Sequence, residues 1–92
     1  MDEEELLMKI INKTKNNELN WIKNKTKIGI IFNCRIDIDG NKKLILKLYL
    51  KNNLPESYLD IKINNGVSIL RMNYNVFDNL YKLFSLLEYK IK

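Results

Sequence analysis

Apolar side chains occupy every second position from Ile28 to Ile38, at Ile28, Ile30, Phe32, Cys34, Ile36 and Ile38. The same beat returns at Leu44, Leu46, Leu48 and Leu50. A period of two sends alternate side chains to opposite faces of a pleated strand, so these runs predict strands over about 28–38 and 43–51 with their even positions buried. Parity constrains the connection. A two-residue loop at Asp39-Gly40 would set Ile36 against Lys43 and mix the faces. A three-residue loop, or one with a bulge, sets Ile36 against Leu44, Phe32 against Leu48 and Ile31 against Tyr49. The expected turn is therefore odd, with Gly40 or Asn41 at positive φ.

Asn52-Asn53-Leu54-Pro55-Glu56 breaks the pattern, because Pro55 has no amide to give to a ladder. A third strand follows over about 57–64, with Leu59, Ile61 and Ile63 on one face. Asn65-Gly66 is the strongest hairpin signal in the chain. As a two-residue turn it pairs Asn64 with Val67, Ile61 with Leu70 and Leu59 with Met72. It also sets Asp60 against Arg71, an attractive cross-strand pair.

Two segments carry helical spacing instead. Leu6, Leu7, Ile10 and Ile11 form a stripe over residues 2–15, with Asp2 to Glu5 at the end where the helix dipole favours negative charge. A broader stripe from Val76 through Phe77, Leu80, Tyr81, Leu83, Phe84 and Leu87 to Ile91 predicts a closing helix over about 75–90, with Asn75 as N-cap. Residues 16–22 read as a turn, and Lys23, Lys25 and Lys27 lead from it into the first strand. The expected fold is α+β: a four-stranded antiparallel β-meander with N- and C-terminal helices packed on one face, in the order α-β-β-β-β-α. At 92 residues the whole of 1–92 forms one domain.

Composition narrows the chemistry. The chain has no histidine, which removes the commonest general base and metal ligand at neutral pH. Its single cysteine, Cys34, has buried parity and reads as packing. Asp37-Ile38-Asp39-Gly40-Asn41 has the start of a calcium loop, but Leu48 stands where that loop needs a bidentate glutamate. No catalytic, cofactor-binding or metal-ligating residue is assigned, and the expectation is a non-enzymatic protein. One cysteine, an acidic N-terminus and no apolar run long enough to span a bilayer point to the cytoplasm, with no membrane partner.

The formal charge of +5 is carried by 14 Lys and two Arg. Arg is the preferred partner of phosphate, so the Lys excess, beside equally abundant Asn and Ile, reads first as coding bias. A nucleic-acid-binding module using Lys23, Lys25, Lys27, Lys43, Lys47 and Lys51 around Tyr49 is the alternative function.

The sheet face away from the helices carries the more specific signal. Its odd positions include Ile31, Ile45 and Tyr49, and Tyr58, Val67 and Ile69 are expected beside them, with Arg35 and Lys47 at the rim. An apolar patch with a charged border marks an interaction surface, for a protein partner or for a second copy in a homodimer. Val67-Ser68-Ile69-Leu70 is uncharged and, as an edge strand, offers a second route to pairing.

Leu19-Asn20-Trp21, with the two hairpins and the closing helix, resembles small uncharacterised proteins carried by bacteria and their mobile elements. The resemblance implies no catalytic residues. It makes an inhibitor that binds and occludes a host protein, of the anti-defence type, one form of the expected interaction module. As physics, Trp21 is expected to plug one end of the core.

Overall fold

The computed structural model describes residues 2–39, 42–64 and 66–91, with the side chains of Ile38 and Asp39 left aside. Helix α1 (Glu3–Lys15) starts at Asp2, whose side chain accepts a hydrogen bond of 2.8 Å from the Glu5 amide. Three glutamates in its first turn and two lysines in its last complement the helix dipole. Five strands follow: β1 (Trp21–Thr26), β2 (Gly29–Asp39), β3 (Lys42–Lys51), β4 (Tyr58–Ile63) and β5 (Val67–Asn73). A 3₁₀ turn at Leu54–Glu56 links β3 to β4, and α2 (Leu80–Lys90) closes the chain. All neighbouring strands are antiparallel and lie in chain order, β1-β2-β3-β4-β5.

The α+β class and the antiparallel meander are as expected, but the sheet has five strands, not four. The extra one is β1, whose first two residues read as part of a turn and whose remainder read as the lead into the first strand, because the segment lacks apolar alternation. It is held by backbone pairing to β2, with Trp21 opposite Cys34 and Lys23 opposite Phe32. The β1–β2 turn brings Ile28 out of the buried series, and its side chain is 64% exposed. Gly29 then starts β2 at φ +153°, where a Cβ would lie 2.1 Å from the Leu50 carbonyl oxygen. Only glycine fits so close a strand crossing.

The central register agrees with parity: Ile36 faces Leu44, Phe32 faces Leu48 and Ile31 faces Tyr49. A shift between Asp37 and Asp39 restores the parity, as expected of a bulged connection. The expected positive φ at Gly40 or Asn41 falls outside the described residues. In the last hairpin Leu59–Met72, Asp60–Arg71 and Ile61–Leu70 pair as the sequence implied. Beyond them the register slips, so Ile63, not Asn64, faces Val67. Asn64 instead adopts φ 51° and accepts from the Lys43 amide at 2.9 Å through its side chain.

One apolar cluster joins both helices to the even face of β2 and β3. Phe32, Leu48, Leu59 and Met72 form a fully buried row across four strands, beneath Leu7, Leu80, Leu83 and Leu87. Trp21 closes one end of this core as expected. Its indole nitrogen donates to the Thr14 hydroxyl at 3.0 Å, and that hydroxyl donates to the Ile10 carbonyl at 2.7 Å. Helix α2 begins five residues later than its apolar stripe suggests. Asn73 to Asn79 wind through successive turns, with Val76 and Phe77 amides both donating to the Asn73 carbonyl, before regular helix starts. Asn and Asp at 75, 78 and 79 favour such turns, and Val76 is left exposed.

Candidate open-face interaction site

Strands present alternate residues to opposite sides, so the register that buries Phe32 and Leu46 dictates the reverse face. Three rows cross it. Asn24, Ile31, Tyr49, Tyr58 and Asn73 form one; Ile22, Asn33, Lys47, Asp60 and Arg71 form the next; Arg35, Ile45, Lys62 and Ser68 form the third. Neither helix covers these rows: the cluster that includes α1 and α2 takes its sheet residues from the opposite face.

The rows carry a continuous side-chain ridge. The Tyr49 and Tyr58 rings stack with centroids 4.6 Å apart, and Ile31 stands opposite Tyr49 on the neighbouring strand. The Arg71 guanidinium lies 4.2 Å from the Tyr58 ring centroid, and the Lys51 ammonium lies 5.8 Å from it. Arg71 also approaches the Asp60 carboxylate at 3.9 Å, as does Lys62. Ser68 donates its hydroxyl to the same carboxylate, which is almost wholly buried. Asp60 thus pins β5 and β4 together and keeps Arg71 over the ring.

Beside the ridge is an open hollow of about 650 Å³. Ile45, although on the uncovered face, is buried at its floor, and Ile22 stands on one side at 65% exposure. Arg35 and Lys47 line the same hollow. Among the described residues neither makes an ion pair.

Ile31, Arg35, Ile45, Lys47, Tyr49 and Tyr58 therefore share one surface, as expected from parity. Val67 and Ile69 do not belong to it. The register shift between Ile61 and Lys62 absorbs one residue of β5, so Val67 sits opposite Ile63 on the helix-side face. Ile69 lines a cleft beside α1. A bulge cannot be read from alternation, since it is the point at which alternation fails. Sequence reasoning also missed Ile22 as a member of this surface and the contact of Arg71 with the tyrosine ring. Ile22 was hidden by the unrecognised strand β1; Arg71 was legible as the partner of Asp60 but not as the residue capping the tyrosine stack.

The alternative lysine set is scattered. Lys47 and Lys51 lie on or beside the ridge and Lys43 opposite Asp37, while Lys23 and Lys25 face the helix side of β1 and Lys27 sits in the turn. Cys34 is buried opposite Trp21 and Leu46. Burial pushes its thiol up from 9.0 to about 11, against a smaller opposing effect of its hydrogen bond with the Asn20 backbone. Such a thiol is a poor nucleophile at neutral pH. Among the described residues no cluster of three or more His, Cys, Asp or Glu is placed to hold a metal ion, and no helix is long and apolar enough to cross a membrane.

The chain matches no protein-family model, no curated protein and no solved structure. The resemblance of Leu19-Asn20-Trp21 to mobile-element proteins gains nothing from these comparisons, and the functional reading rests on the geometry of the site.

Proposed function

We propose that this protein is a non-enzymatic binding module that docks the open face of its sheet onto an acidic-rimmed apolar patch of another protein. The observation that supports it is the pairing of an uncovered Ile31–Tyr49–Tyr58 ridge with a hollow whose two cations, Arg35 and Lys47, have no ion-pair partner among the described residues. Apolar area excludes water at the centre of an interface, and unpaired rim charge selects the partner by complementarity. Such docking would act by occluding the surface it covers, which is the inhibitor role drawn from the resemblance to mobile-element proteins.

The geometry weighs against the single-stranded nucleic-acid alternative. Base stacking needs a free aromatic face. Tyr58 has Tyr49 against one face and Arg71 over its ring, and Tyr49 has Ile31 as its other cross-strand neighbour. The Tyr58 ring is therefore taken up by Tyr49 and Arg71, and the lysines divide between two faces.

The test is affinity capture from cell extract with three baits: the native chain, the double variant Arg35→Glu and Lys47→Glu, and Tyr49→Ala. A protein retained by the native chain alone, and released when acidic residues on its own mapped contact surface are changed to lysine, supports the reading. Equal retention by all three baits overturns it. Salt-sensitive retention of an oligonucleotide by the native chain, lost in the double variant, would transfer the face to the nucleic-acid alternative.

A further inference from the structure

On the opposite side of the sheet, α1 stands beside the first residues of β3 and the first half of β5. Between them lies a cleft of about 250 Å³ that is more enclosed than the open-face hollow. Its walls are aliphatic: Leu6 and Ile10 from α1, Ile36 and Leu44 from the β2–β3 hairpin, Ile69 and Leu70 from β5. The bulge that removes Ile69 from the open face is what brings it here.

Among the described residues two charged ones line the cleft, Lys9 and Lys13, one helical turn apart on α1, and no carboxylate does. Lys13 lies 3.7 Å from Glu18, whereas Lys9 has no ion-pair partner among the described residues. Both lysines are exposed, so their stems cover the aliphatic wall while the ammonium groups mark its rim.

An aliphatic space of this size has room for an apolar group; a cavity of ~150 Å³ suffices for benzene. Taking a methylene as about the ~30 Å³ share of one water, the cleft accommodates an alkyl chain on the order of eight carbons. The cations at its rim select a tail with an anionic head. We propose that the α1–β5 cleft binds a free medium-chain aliphatic carboxylate, with the tail among Ile10, Leu44 and Ile69 and the head at Lys9.

The probes are sodium decanoate, sodium octanoate and decanol, added below their aggregation limits to the isotope-labelled full chain and followed by amide NMR. Decanoate is expected to saturate, with shifts centred on Leu6, Leu44, Ile69 and Leu70 and not on Tyr49 or Tyr58. Octanoate should bind on the order of fourfold more weakly, since its tail leaves room for about one further methylene and each one withdrawn from water contributes on the order of fourfold. Lys9→Glu should weaken decanoate by about fivefold and leave decanol unchanged. Ile69→Trp, at a half-exposed edge position that tolerates bulk, should abolish binding by filling the cleft.

Non-saturating shifts, shifts centred on the open face, or equal affinity for octanoate and decanoate would each overturn the assignment. So would concentration-dependent Ile69 and Leu70 shifts in a chain that light scattering shows to be dimeric, because a second copy would then be the occupant. The chain-length comparison needs no variant, so it holds whether or not Ile69→Trp folds.

Discussion

The two faces of one sheet are built by the same five strands and differ in what their rows are made of. On the helix side, Phe32, Leu48, Leu59 and Met72 run across four strands without a polar atom other than sulfur and are fully buried. On the open side, one residue away along each strand, Tyr49 stacks on Tyr58 beneath Arg71 and beside Ile31, with Asp60 holding the arginine. The first arrangement gains from removal of apolar surface from water and tolerates no gap. The second remains wet and depends on orientation. With stability concentrated on one face and recognition proposed for the other, substitutions should divide the two properties.

The largest effect is expected from Gly29→Ala. The new Cβ would meet the Leu50 carbonyl at 2.1 Å, in rigid backbone, and the residue would keep a left-handed φ. The edge of β2 has to move, and thermal unfolding should show either no folded protein or a loss of several kcal/mol, roughly 3 or more. Phe32→Ala follows, at about 3–4 kcal/mol by chemical denaturation, from lost transfer energy and the cavity left behind. Tyr49→Ala, on the opposite face, should cost only about 1 kcal/mol yet remove partner binding. Comparable destabilisation by Phe32→Ala and Tyr49→Ala would erase the division between the faces.

Thr14→Val probes the end of the core. It leaves the buried Trp21 indole N–H without its acceptor while preserving shape, and should lower stability by about 1–2 kcal/mol. The remaining test is the pH response of Cys34, which is confined to alkaline conditions. Its thiol titrates near 9.0 when unfolded and about 11 when folded, so the unfolded chain loses its proton first. The stabilisation is full below pH 9, falls between pH 9 and 11, and is gone above that. Cys34→Ala should flatten that part of the stability–pH profile relative to the native chain.

How much of this was legible in the residues can be seen element by element. Helix α1, strands β2 to β4 and most of β5 follow from periodicity, because each buries one face against a common core and selection of apolar residues leaves a regular trace. The Asp60–Arg71 register was legible because opposite charges directly across a hairpin reinforce it. Strand β1 was not, since beyond Trp21 and Ile22 this edge strand is Lys, Asn and Thr, held by backbone pairing that carries no side-chain signature. Tyr49 and Tyr58 were legible as members of the open face; their stacking under Arg71 was not.

What the sequence determined by itself is the parity of the strands, and with it which side chains are enclosed and which look outward, because pleating fixes that alternation whatever lies around it. Tertiary structure decided the rest. The fifth strand, the bulge that moves Ile69 from the open face to the α1 cleft, and the late start of α2 each arise where backbone pairing or turn geometry interrupts the local period. Those interruptions depend on neighbours distant in the chain, and they are also what shape the two surfaces on which binding is proposed.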